Sequence, residues 1–211
     1  MSDQSKTTNK KYYDPISMAH RTKQAVYIVE DHDKMAMFAH IMKHSDLKRT
    51  AVLCKSKKRA DELGVYLNSH DLKAKVIHGN HRKSEQEEVA KFFKADEINL
   101  LITTDKVLQQ LELTNIERIV NFDTPIEAET YFKSLVFVDE KGESISLVSP
   151  EEEGLFSVIE MLLKIEIPDG EVEGFVPSET VPVKKVLKEK KKKPRHRSQK
   201  KEKTKSKENN E

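Results

Sequence analysis

The sequence holds a single cysteine, Cys54, which excludes an intrachain disulfide and a four-cysteine zinc site. Glycine is scarce too. There are six in 211 residues, scattered, and only Gly79 directly follows a strand-like run. No G-x-x-x-x-G-K-[S/T] or G-x-G-x-x-G stretch occurs, so neither common glycine-rich phosphate cradle is present. No apolar run approaches about 18 residues, and no short apolar core follows Met1; the expectation is a cytoplasmic chain with no membrane partner.

Charge is abundant and unevenly placed. Lysine plus arginine (38) nearly balances aspartate plus glutamate (36). Residues 184–211 nevertheless carry 14 basic and 4 acidic side chains, a net +10, which leaves residues 1–183 at −8. That basic tail contains no aromatic residue, so it offers phosphate-binding charge without stacking platforms. Lys190, Lys191, Lys192, Lys193, Arg195 and Arg197 are its densest stretch.

Short apolar runs organise the body. Leu100–Ile102 and Ile116–Phe122 are the length of strands buried on both faces, each ending in polar residues, Thr103-Thr104-Asp105 and Asp123-Thr124-Pro125. Further strands are expected at Gln24–Glu30, Arg49–Cys54, Ala74–Ile77 and Ser144–Val148. Helices are expected between them: one capped by Asp31 or Asp33 with Met35, Phe38, Ile41 and Met42 on one face, and one from Ser56 through Leu67. Three more are expected at 84–94 with Ser84 and Glu87 as a capping box, at Ala128–Leu135, and at Glu151–Leu163. Alternation at these spacings predicts an α/β fold: an open, mostly parallel sheet with helices on both faces. The expected organisation is a flexible segment at 1–19, one domain at 20–168, a surface extension at 169–183 and a basic tail at 184–211. His78 lacks a ligand set and reads as structural. Asp105 and Asp123 follow consecutive strands, but paired-carboxylate chemistry needs a separation that spacing alone does not supply. No metal or cofactor is expected.

The ordered motifs resemble the second, C-terminal RecA-like domain of bacterial DEAD-box RNA helicases of the RhlE-like branch. Ala51-Val-Leu-Cys-Lys-Ser-Lys-Lys-Arg-Ala-Asp-Glu-Leu63 is similar to the family's fourth motif and its following helix. His78-Gly-Asn80 is similar to its H-G-[D/N] turn, Thr104-Asp105 to the start of its fifth motif, and Val120-Asn-Phe-Asp-Thr-Pro125 to its V-[I/V]-N-[Y/F]-D-x-P segment. Leu162-Leu-Lys-Ile-Glu-Ile-Pro168 is similar to the usual close of the domain. The resemblance implies single-stranded RNA contact at strand ends and helix starts, on Lys55, Ser56, Lys57, Gly79 and Thr104.

Departures from the family pattern decide what activity to expect. Lys83 and Gln86 stand where the family has a glutamine and an arginine after its H-G-[D/N] turn. The fifth motif's arginine, glycine and aspartate become Gln109, Gln110 and Glu112. The sixth motif's arginines have no counterpart, because Tyr131–Gly142 contains neither arginine nor histidine and is shorter than the family's segment. An arginine finger contributes about 10³–10⁵ in rate, and Lys133 and Lys141 lack its planar fork. ATP hydrolysis by this chain is therefore not expected. The leading expectation is a non-catalytic domain bound to RNA or a ribosomal particle through its tail and remnant RNA surface. An alternative is a protein-docking module, using Leu108, Leu111, Leu135, Val136, Phe137 and Val138 at the former nucleotide cleft. A further alternative is helicase activity completed in trans.

Overall fold

The computed structural model describes residues 14–178 apart from Glu112, Thr114 and Asn115. Six strands make one sheet in the order β1-β6-β5-β2-β4-β3, and every pairing is parallel. The strands are β1 (Lys23–Ile28), β2 (Thr50–Leu53), β3 (Lys75–Val76), β4 (Leu100–Thr103), β5 (Ile116–Asn121) and β6 (Val138–Val148). All residues of β2 and β4 are buried, as their unbroken apolar runs require in a sheet covered on both faces.

Two helices cover one face: α2 (Lys34–His44) and α3 (Lys57–Ser69) pack on Val52, Ile102, Val120 and Leu147. Most of the remaining helices cover the other face in two groups. Helices α4 (Lys83–Lys94) and α5 (Asp105–Gln110) pack on Ala51, Leu53, Leu101 and Ile119. Helices α6 (Ala128–Leu135) and α7 (Glu153–Leu163) pack with Val26 and Val148. Gly64 lets α3 lie close over β3, because a Cβ there would run into the Val76 side chain.

Several local expectations change. An unforeseen helix, α1 (Pro15–Arg21), begins inside the segment expected to be flexible, 1–19, and runs past its end. Asp14 caps it by accepting from the Ser17 amide at 3.0 Å, and Met18 and Ala19 are buried against α6 and α7. Asp33 does not cap α2, since its carboxylate instead accepts from the Ser178 amide at 2.9 Å. At α4 the returning carboxylate is Glu85, which accepts from the Arg82 amide at 2.9 Å, not Glu87. Strand β3 is two residues long and β6 eleven, so the expected 74–77 and 144–148 strands shrink and grow. The chain after α7 is a strap. It pairs at Val26↔Asp169, sets Val172 and Phe175 against the α2–α3 core, and ends on Asp33 through Ser178. Among the described residues no helix is long and apolar enough to cross a membrane.

Candidate nucleic-acid interface

Topology selects the edge to examine. The chain leaves β2 toward β3 on one side and leaves β5 toward β6 on the other, and β2 and β5 are neighbours. Such a switch point opens a crevice at the C-terminal ends of the strands. It is flanked here by the loop after β2, carrying Lys55 and Ser56, and the loop after β5, carrying Asp123 and Thr124.

Asp123 is fully buried and holds the two loops together. Its carboxylate accepts from the Lys55 amide at 3.0 Å, and the Lys55 ammonium and Arg59 Nε each lie 3.3 Å from its second oxygen. Arg59 also reaches Asp31 at 2.5 Å and sits 5.2 Å above the Phe122 ring. Lys34 is wholly buried beneath this edge, donating to Glu152 at 2.5 Å and to the Phe122 carbonyl at 3.3 Å. Burial opposes ionisation of Glu152, yet the Lys34 hydrogen bond and charge outweigh it and hold that carboxyl below its usual range. The paired-carboxylate idea thus meets an Asp123 already committed to cations. Asp105, at the start of α5, is pushed up to about 6, first by burial and also by the Asp123 charge.

The RNA candidates of the body gather along this edge. Ser56 caps α3, its hydroxyl accepting from the Arg59 amide at 3.1 Å, while the Lys57 and Lys58 amides of the same first turn have no partner among the described residues. Free amides at a helix start suit phosphate. Lys57 donates to Asn80 at 2.6 Å, tying the start of α3 to the turn after β3, and Gly79 sits beside the same lysine stem. Thr104 occupies the end of β4 and makes no side-chain cap bond to α5. His78 is structural: it is buried, with its ring bonded to Asp61 at 2.9 Å.

A groove of about 880 Å³ continues from the Asn80 turn between α4 and α5. Its walls include His81, Lys83, Lys91, Lys94, Gln109 and Gln110. Gln109 and Gln110 therefore share an open groove with three lysines and one carboxylate, Glu87, which pairs with Lys83 at 3.8 Å and leaves the groove net basic. Sequence reading scored Lys83, Gln109 and Gln110 only as losses and did not single out Lys91 or Lys94. The lysine spacing along α4 was the available signal.

The docking candidates do not form a surface. Leu108, Leu111, Leu135 and Val138 are buried in the core, Phe137 packs against it, and Val136 is 36% exposed. Helix α6 starts at the crevice edge and descends, so Leu135–Val138 arrives at the opposite end of the sheet, where Val138 pairs with Ile116, the first residue of β5. Lys133 pairs with Glu129 at 2.9 Å on the exposed side of α6. Glu112 and the tail candidates Lys190 to Lys193, Arg195 and Arg197 lie outside the described residues. Among the described residues no cluster of metal-ligating side chains occurs.

Comparison with known proteins finds similarity over most of the domain. Residues 33–136 match the helicase conserved C-terminal domain, and the Vanderwaltozyma polyspora ATP-dependent RNA helicase SUB2-2 is 29% identical over 160 residues, 74% of this chain. The domain is homologous to the C-terminal RecA-like domain of DEAD-box helicases. The DEAD-box helicase RhpA of Helicobacter pylori is 25% identical over 132 residues, 61% of this chain. These matches span 36% and 27% of the two curated relatives. Among solved structures, E. coli SrmB bound to the regulator RraA aligns with a TM-score of 0.69 at 20% identity, covering 76% of this chain and 96% of that one. The C-terminal domain of Dbp5 aligns at 0.68 and 20% identity, covering 72% and 91%. At that identity these two show the DEAD-box domain fold.

Proposed function

We propose that this DEAD-box-type domain binds RNA, free or in a ribonucleoprotein particle of the cytoplasm, without hydrolysing ATP. The observation that carries the reading is the meeting of Lys55, Ser56, Lys57, Gly79 and Thr104 along one sheet edge, with the Lys57–Asn80 bond joining the start of α3 to the turn after β3. The basic groove beside α4 extends that edge. Dbp5, a structural neighbour, is known bound to RNA and ADP BeF3, and SrmB bound to a protein regulator. The loss of catalysis rests on residues inside the domain, Gln109, Gln110 and the arginine-free stretch Tyr131–Gly142, and so does not depend on what adjoins it.

The body carries −8 and residues 184–211 carry +10, so most sequence-independent affinity belongs to the tail. The test titrates a labelled single-stranded RNA at several salt concentrations with three chains: intact, truncated after residue 183, and K55A/K57A. About five tail contacts give a log–log salt slope of roughly −3.5. Truncation should flatten the slope and weaken all RNAs alike, and K55A/K57A should weaken binding by a smaller factor. Equal, equally salt-sensitive binding after truncation would overturn the tail assignment. No binding by any form at low salt would overturn the RNA reading.

A further inference from the structure

We propose that a cavity at the N-terminal end of the sheet, remote from the RNA edge, binds an organic carboxylate carried on an apolar body. Three loops enclose about 550 Å³ there: Ser45–Lys48 before β2, Asp71–Ala74 before β3, and Glu97–Asn99 before β4. That volume falls within the range of small-ligand sites. Met42, Leu72, Ala74, Ile98 and Leu100 supply apolar wall. One wall is braced in advance, because Asn68 accepts from the Ala74 amide at 3.2 Å and donates to the Ala74 carbonyl at 3.0 Å.

The charge on the floor names the ligand. Arg118 projects from β5 with its side chain only 5% exposed, donating through Nε to Glu143 at 2.5 Å and through Nη1 to the Ser45 hydroxyl at 3.0 Å. The other oxygen of Glu143 meets Lys48 at 3.0 Å. The buried pair is Arg118 with Glu143, and Lys48, 30% exposed, adds a second cation to the same carboxylate, so the floor carries one positive charge more than that carboxylate balances. Arg118 Nη2 has no hydrogen-bond partner among the described residues. One further carboxylate, placed against Nη2 and Lys48, would neutralise the floor. Asp46, Asp71 and Glu97 share the rim with Lys73 and Lys75, so the rim adds no positive charge of its own and the floor matches a single negative charge, which favours a singly charged acid over RNA or another polyanion.

The test uses the intact chain and follows methyl resonances of Met42, Leu72, Ile98 and Leu100 during titration with 4-phenylbutyrate or its neutral counterpart 4-phenylbutanol. The acid should shift these signals saturably and bind at least ten-fold more tightly than the alcohol. Glu143→Gln adds surplus positive charge and should tighten the acid about three-fold while leaving the alcohol unchanged. Ala74→Phe fills the cavity without touching the ion pairs and should abolish the shifts. A third arm compares the tripeptide Ala-Leu-Phe as free acid and as amide. Acid-selective binding tighter than 4-phenylbutyrate identifies a peptide terminus as the source, and weaker binding identifies a free acid. Equal affinity for acid and alcohol would overturn the proposal, as would shifts that survive Ala74→Phe, or no saturable shift with any probe.

Discussion

The two ends of the parallel sheet each bury a cation, but they neutralise it differently. At the C-terminal end Lys34, Lys55 and Arg59 face Asp31, Asp123 and Glu152, three charges against three. At the N-terminal end Arg118 and Lys48 share Glu143. A balanced cluster has little field left for a ligand, so phosphate must compete with Asp123 and Glu152 for Lys55. RNA recognition by the body then falls to Lys57, the α3 amides and the α4 groove. An unbalanced cluster retains attraction for one more anion.

The largest expected effect comes from breaking the balanced end. Replacing Lys34 by Met leaves the Glu152 carboxylate, 14% exposed, without its buried partner, which costs about 3–5 kcal/mol. Urea unfolding of K34M should show that loss, and K34M/E152L should recover most of it, since removing both charges is nearly neutral. A loss under about 1 kcal/mol in K34M would mean that water already serves Glu152, and the two ends would no longer differ in the way described.

A second test separates core from surface where α6 reaches the N-terminal end. Leu135 is fully buried and Val136 is 36% exposed. Leu135→Ala should cost about 2–5 kcal/mol by creating a cavity, and Val136→Ala should cost well under about 1 kcal/mol. Similar small losses at both positions would restore the docking face that the fold excludes.

These two positions also show how far the sequence could be read. The strands Leu100–Ile102 and Ile116–Phe122 were legible because burial on both faces demands unbroken apolar runs, and Ser56 was legible because a hydroxyl before a helix has one common use. Lys34 was not, because a buried lysine reads like any exposed one until Glu152, distant in sequence, is placed beside it. The Leu135–Val138 run misled for a related reason. Its apolarity marks burial, but only the strand register says at which end of the sheet it is buried. Helix α1 escaped because seven residues carry too few apolar positions to show a period.

A smaller effect concerns acid and base at the C-terminal end. The Asp105 carboxyl titrates near 6 in the fold against an ordinary 3.8, so the folded state binds the proton more tightly than the unfolded chain. Stability therefore falls as pH rises from about 4 through 6. Partial exposure limits the effect to about 1 kcal/mol. Asp105→Asn should be about that much more stable at pH 7.5, with the advantage gone below pH 4. A pH-independent difference would show that the carboxyl is not desolvated.

The smallest effect is the sharpest test of whether the C-terminal end meets phosphate at all. Ser56 caps α3, and Ser56→Ala should cost about 1 kcal/mol of stability. That result alone cannot distinguish a cap from an RNA contact. Ser56→Asp can, because aspartate caps as well as serine but places a negative charge beside the Lys57 and Lys58 amides. If RNA passes this helix start, Ser56→Asp should keep stability near that of the parent and still lose RNA affinity several-fold at low salt. The loss should shrink as added salt screens the new charge. The measurement pairs urea unfolding with RNA titration on chains truncated after residue 183, where tail binding does not mask the body. Parent-like affinity in Ser56→Asp would remove the α3 start from the RNA path and leave the groove beside α4 as the body's contact.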